Sequence, residues 1–198
     1  MKIILFSRYD TLGASSRIRS FQYLPFLQSN GIEVIVLPLF GNDYLNTLYN
    51  GKRRPLTLII TAYIKRIIDL LKNRKADLIW IEKELLPFFP YWLEKVLLHN
   101  RMYLLDYDDA IFHNYDLHKY RVIRLLFSKK IDKLMNNSKI VICGNSYLEK
   151  RAKSAGAKKV EILPTVINTD RYILENKQDM EPSVIRIVWI GSPSTEFY

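Results

Sequence analysis

Residues 103–113 read YLLDYDDAIFH, and the reading of this stretch decides the fold. The apolar run from Met102 to Leu105 breaks abruptly into Asp106, Tyr107, Asp108 and Asp109, before Ala110, Ile111, Phe112 and His113. A strand buried on both faces of a parallel sheet has this form, apolar along its length and polar where it leaves the sheet. Ligands of open α/β sheets collect outside the carboxyl ends of the strands, so three carboxylates and a histidine there make a candidate site. Capping of the following turn accounts for one of the carboxylates. Like charges this close repel, and three together call for more than capping.

Outward from this strand, itself predicted over 101–107, the pattern alternates in both directions. On the N-terminal side, strands are predicted over 2–7, 33–39 and 77–82, and helices over 15–30, 56–73 and 90–99. The first helix opens with Ser15 or Ser16 as its cap and stops at Gly31. The second places Ile59, Ile60, Tyr63, Ile64, Ile67, Ile68 and Leu71 at helical spacing. On the C-terminal side come a helix over 118–136, a strand over 139–143, a helix over 145–155 closed at Gly156, and a strand over 159–163. Regular alternation of this kind predicts an α/β fold: a doubly wound, mainly parallel, Rossmann-like sheet with helices on both faces.

The tail breaks the rhythm. Residues 175–183 (ENKQDMEPS) are polar and contain a proline, the composition of a linker. A fresh strand is predicted over 184–190, followed by Gly191-Ser192-Pro193-Ser194 as a strand-to-helix turn, and the sequence ends at Tyr198. The expected organisation is an N-terminal Rossmann-like domain over 1–174, a linker over 175–183, and over 184–198 the beginning of a second α/β domain that is cut short.

Composition narrows the partners. A net charge of +10 and an isoelectric point near 9.6 favour an acidic partner: nucleic acid, anionic lipid or a phosphorylated substrate. The single cysteine, Cys143, excludes an internal disulfide framework and fits a reducing cytoplasm. The apolar start is too short for a signal peptide, and no uninterrupted run reaches membrane-spanning length. A soluble or peripheral cytoplasmic protein is expected.

Two further regions carry candidate chemistry. After the first strand comes SRYDTLGASSR, residues 7–17, in which Gly13 permits close backbone approach and Ser15, Ser16 and Arg17, with Arg19, offer an anion site at a helix start. The dinucleotide fingerprint is absent, with one glycine where three are needed, so an NAD enzyme is not expected. Glu82 leaves the third strand and can face the same crevice as Asp108. Basic residues cluster on two helical stretches, Lys65 and Arg66 in the first, Arg121 and Arg124 in the second, and such faces can rest on an anionic membrane. No motif or aromatic platform for nucleic acid accompanies the charge. No Cys/His spacing suggests a metal, and no cofactor is called for.

Four landmarks together resemble one family. KIILFSRYDTLGASSRIRSFQYLPFLQSNGIEV is similar to the opening of the N-terminal domain of retaining glycosyltransferases of the GT-B fold, family 4. LLDYDDAIFH stands where these enzymes carry an acid- or His-bearing turn under the sugar. VICGNSYLEKRAKSAGAKKVEILPTVINTDRY is similar to the family's closing segment, and IRIVWIGSPST resembles the first strand and donor-contacting loop of its second domain. The chain departs from the pattern at Thr165-Val166, where Asn-Gly is usual, and at Asn168, where Asp is usual. The resemblance implies transfer of a sugar from a nucleotide-sugar co-substrate to a lipid-linked or surface-polysaccharide acceptor. Asp108 and Asp109 would face the reacting groups. Gly13, Ser15, Ser16, Arg17, Asp106, Glu82 and His113 would contact substrate, and Gly191 and Ser192 the donor. The segments in which the family binds its donor phosphates are lacking, so these 198 residues alone are expected to be inactive. Two other readings compete: a non-catalytic membrane- or partner-binding module, and a magnesium-dependent phosphotransfer or receiver-type domain using Asp106, Asp108 and Asp109.

Overall fold

The computed structural model describes residues 1–50 and 56–169. The linker, the strand over 184–190 and the Gly191–Ser192 turn expected from sequence lie outside the described residues. The compact unit Met1–Ile167 is built on a six-stranded sheet in the order β2-β1-β3-β4-β5-β6, with every pairing parallel. Its strands are β1 (Lys2–Phe6), β2 (Glu33–Val36), β3 (Leu78–Glu82), β4 (Tyr103–Tyr107), β5 (Ile140–Cys143) and β6 (Val160–Ile162). The fold is α/β and doubly wound, as the alternation predicts.

Side-chain alternation assigns the two faces. Ile4, Phe6, Ile79, Ile81, Leu105, Tyr107, Val141 and Cys143 join one core, shared with α4 (Leu56–Lys72), α8 (Lys130–Asn137) and α9 (Ser146–Ser154). Ile3, Leu5 and Trp80 point the other way and pack on Phe21, Leu24 and Leu27, around α1 (Ala14–Arg19) and α2 (Leu24–Ser29). The chain leaves β1 for β2 on one side and crosses back for β3 on the other. The carboxyl ends of β1 and β3 are therefore the switch point of the sheet, the place at which open α/β sheets bind ligands.

The helices are shorter than periodicity predicts. The helix expected over 15–30 is broken into α1, a 3-10 turn at Phe21–Tyr23 and α2, because Pro25 lacks an amide proton and fits only a first turn. The helix expected over 118–136 divides into α7 (Arg121–Phe127) and α8, after a one-turn α6 (His113–Asp116). A helix not anticipated, α3 (Asn42–Tyr49), buries Tyr44 and Leu45. The remaining helix, α5 (Tyr91–Leu97), lies between β3 and β4. At α9 the expected punctuation holds: the Asn145 side chain accepts from the Leu148 amide at 3.0 Å, and Gly156 follows at φ +83°. Among the described residues, no helix is long and apolar enough to cross a membrane.

Candidate functional site

The polar ends of β3 and β4 share a pleat face. Glu82 pairs in register with Asp106, and Asp108 follows two residues on, so all three carboxylates start from the face on which α1 lies. α1 meets each of them with a side chain. Ser16 Oγ donates to Glu82 Oε2 at 2.7 Å, and the Arg8 amide reaches the same oxygen at 3.1 Å. Ser15 Oγ lies 3.3 Å from Glu82 Oε1 and hydrogen-bonds Asp108 Oδ2. Arg19 donates from Nε and Nη2 to Asp106 Oδ1 at 3.1 and 2.5 Å. The loop after β1, the exit of β3 and the acidic turn after β4 are thereby gathered at one edge of the sheet.

Lys83 completes the cluster. Its Nζ lies 2.7 Å from Asp109 Oδ2 and 3.2 Å from Asp108 Oδ1, the second contact being electrostatic rather than an aligned hydrogen bond. Its backbone is held at φ +67°, unusual for a residue with a side chain and costing about 1 kcal/mol or more. The left-handed turn swings the lysine back over the acidic turn instead of out to solvent. Sequence reasoning missed this role. A lysine between Glu82 and Glu84 at a strand exit was visible, but its backbone angle was not.

The environment then divides the carboxylates. Burial pushes the Glu82 carboxyl above its ordinary value, against the hydrogen bonds from Ser16 and the Arg8 amide. Burial also pushes Asp106 up, to about 6, against the pull of Arg19. At Asp108 burial acts in the same direction, but the Lys83 charge and the Ser15 hydroxyl together outweigh it and hold the carboxyl below its ordinary value. Asp109 has its side chain 68% exposed and is the most accessible of the group. Asp108 and Asp109, tied together by Lys83, thus form the outer part of the cluster, Asp109 open to solvent and Asp108 16% exposed, whereas Glu82 and Asp106 lie beneath α1.

Several expectations are corrected. Ser15 and Ser16 direct their hydroxyls at the chain's own carboxylates, so these donors are not free to hold a substrate anion, and α1 has only six residues. Asp106 is 2% exposed and paired with the equally buried Arg19, so it is a structural ion-pair partner rather than a substrate contact. Gly13 is needed for packing within the chain, since a Cβ there would lie 2.3 Å from Tyr9 Cβ. Arg17 is exposed and donates to its own loop at the Thr11 carbonyl. His113 contacts Asp116 at 2.8 Å and Tyr147 at 2.7 Å, on the side of α9, and not the acidic cluster. Arg66 is 3% exposed: it lies over the Phe6 ring, donates to the Ser7 carbonyl at 2.6 Å and cannot touch a membrane. Lys65 and Arg121 are exposed, while Arg124 reaches the His118 and Lys119 carbonyls.

As placed, Asp106, Asp108 and Asp109 cannot share one divalent ion. Asp106 is turned under α1 to Arg19, and Lys83 stands between the other two. Among the described residues no group of three acid, His or Cys side chains is arranged to hold a metal. Behind the site a second buried network fixes the 83–90 loop. Lys130 Nζ meets Glu84 at 2.6 Å and Glu94 at 2.8 Å, Tyr115 donates to Glu84, and Glu94 accepts from the Leu85 and Leu86 amides. Compared with known proteins, the chain matches no family model and no curated sequence.

Proposed function

We propose that this chain is the acceptor-side portion of a GT-B, family 4 type glycosyltransferase, moving a sugar from a nucleotide-sugar to a lipid-linked or surface-polysaccharide acceptor. The observation that carries this reading is the Ser15 bridge between Glu82 and Asp108. It brings the loop after β1 and the acidic turn after β4 together beside the switch point of a parallel sheet, the crevice in which such folds bind ligands. The four sequence landmarks supply the choice of reaction.

In this reading Asp108 and Asp109 face the sugar or the acceptor hydroxyl, with charge fixed in advance where charge develops during transfer. Lys83 and Ser15 hold Asp108 in place, and Gly13 keeps the β1 loop tight enough for Ser15 to reach it. Glu82 and Asp106, with Ser16 and Arg19, act from beneath as supports. Gly191 and Ser192 would contribute from the donor side. The protein would work in the cytoplasm, at or near the inner membrane face, with the nucleotide-sugar as co-substrate and no resident cofactor.

The test is transfer from a panel of nucleotide-sugars by the full-length protein. Asp108→Ala is expected to lower kcat/KM by about 10²–10³ with little change in stability. Wild-type activity in that variant removes the assignment.

A further inference from the structure

The outward face of α4 is apolar where a surface helix is ordinarily polar. Ile60, Ile64 and Ile68 recur every fourth residue and Leu71 follows, and all four are between 42 and 53% exposed. The helix is not short of core contacts. Its inner side buries Arg66 and Leu70 and packs Ile59, Tyr63 and Ile67 against the rest of the domain. The outer stripe is thus a second apolar face on a helix that is already docked.

α5 extends that face. Trp92 and Val96 lie one turn apart and are 63 and 65% exposed. Val96 lines a groove with Leu71, Leu70, Leu97, Arg74 and Arg101, so the two stripes adjoin. Around them Lys65, Lys72, Arg74, Lys75 and Lys95 are exposed. The acids of α4 and α5 are only Asp69, half-buried, and Glu94, buried toward Lys130. In sequence Lys52, Arg53 and Arg54, followed by Pro55, precede α4.

We infer that the α4–α5 face docks on an anionic lipid bilayer, with Ile60, Ile64, Ile68, Leu71 and Val96 entering the headgroup–acyl boundary, Trp92 at the interface and the five lysines and arginines among the headgroups. Charge selects this occupant. A second copy would set five cations against five, whereas a phosphatidylglycerol surface supplies the missing counter-charge. α7 also exposes Val122, Leu125 and Leu126, but its free cations are fewer than the five of the α4–α5 face: Arg121 is exposed, Arg124 is taken up by two carbonyls and Lys119 lies over Tyr120. This inference stands apart from the transferase reading, because it concerns a helix face and not the acidic cluster.

The test is co-sedimentation of the full chain with vesicles. Binding is expected with mixed phosphatidylglycerol–phosphatidylcholine vesicles and not with phosphatidylcholine alone, and it should weaken steeply as salt rises. Ile64→Glu with Ile68→Glu should cut binding at least about tenfold, and Lys65→Glu with Lys72→Glu should do the same. Val122→Glu with Leu125→Glu should leave binding intact. All six positions are solvent-facing, so the variants should keep the wild-type circular dichroism and melting curve. Quenching of Trp92 fluorescence by brominated lipid, lost in Trp92→Phe, would place the face at the bilayer. No sedimentation, sedimentation indifferent to the Ile64/Ile68 pair, or a dimer in solution abolished by that pair would each overturn the proposal.

Discussion

Arg19→Met isolates the strongest single constraint on the site. Arg19 and Asp106 are each 2% exposed, and the guanidinium also donates to the Leu163 carbonyl and Thr165 Oγ1. Methionine fills similar volume but leaves the Asp106 carboxylate buried without its cation. Breaking a buried pair from one side costs about 3–5 kcal/mol, against a typical total stability of about 5–15 kcal/mol. With a urea slope of about 1–3 kcal/mol per molar, the unfolding midpoint should fall by about 2 M. The loss should depend on pH with a definite sign. Burial already pushes the Asp106 carboxyl from 3.8 to about 6, and removing Arg19 pushes it higher. For an acid whose folded value is raised, the unfolded chain gives up the proton first. Stability is therefore retained below about pH 4 and lost as pH climbs through the folded value. The Arg19→Met deficit should accordingly be largest near neutrality and shrink toward pH 4, and Arg19→Met with Asp106→Leu should recover most of it. A deficit below about 1 kcal/mol, or one indifferent to pH, would refute the account of Arg19 as the charge that makes a buried Asp106 tolerable.

Three further outcomes follow from the same geometry. Lys83→Met removes the cation that offsets burial at Asp108, so the Asp108 carboxyl should titrate at least about one pH unit higher by carbon NMR; an unmoved titration would deny Lys83 its part. Gly13→Ala forces a Cβ against Tyr9 at 2.3 Å and should cost about 1–3 kcal/mol in urea unfolding, while a neutral result would show that the β1 loop yields freely. Lys130→Met strands Glu84 and Glu94 and should destabilise by about 3–5 kcal/mol near pH 7, with less loss in acid because Glu94 is already pushed upward by burial; equal loss at both pH values would count against that network.

Much of the fold was legible because its central strands β1, β3 and β4 are largely buried and read as unbroken apolar runs ending in polar residues. Glu82, Asp106 and Asp108 could be placed at strand exits for that reason alone. The helices were less legible where apolar residues occur all round. In α4 both the 59, 63, 67, 70 stripe and the 60, 64, 68, 71 stripe are apolar, so periodicity alone cannot choose the side that meets the sheet. Arg66 was assigned to the outside for want of that choice. It lies three residues after Tyr63 and four before Leu70, on the stripe that turned inward.

The division of labour among the carboxylates depended on a relation that no local window contains. Strand exit marks Asp106 and Asp108 as equals, and their spacing puts them on one face. What separates them is the reach of α1: Arg19, one turn beyond Ser15, covers Asp106, while Ser15 itself touches Asp108 and leaves one of its oxygens to Lys83. α1 crosses the two strand ends so that its last residue, Arg19, reaches the deeper carboxylate and Ser15, near its start, reaches the shallower one. Given that crossing, a cation is needed under the helix and a hydroxyl at its start. The sequence ASSRIR provides both, in that order. The buried acid is neutralised by a partner it cannot leave, and the shallower acid is held between Ser15 and Lys83, its carboxyl kept below its ordinary value, beside the exposed Asp109.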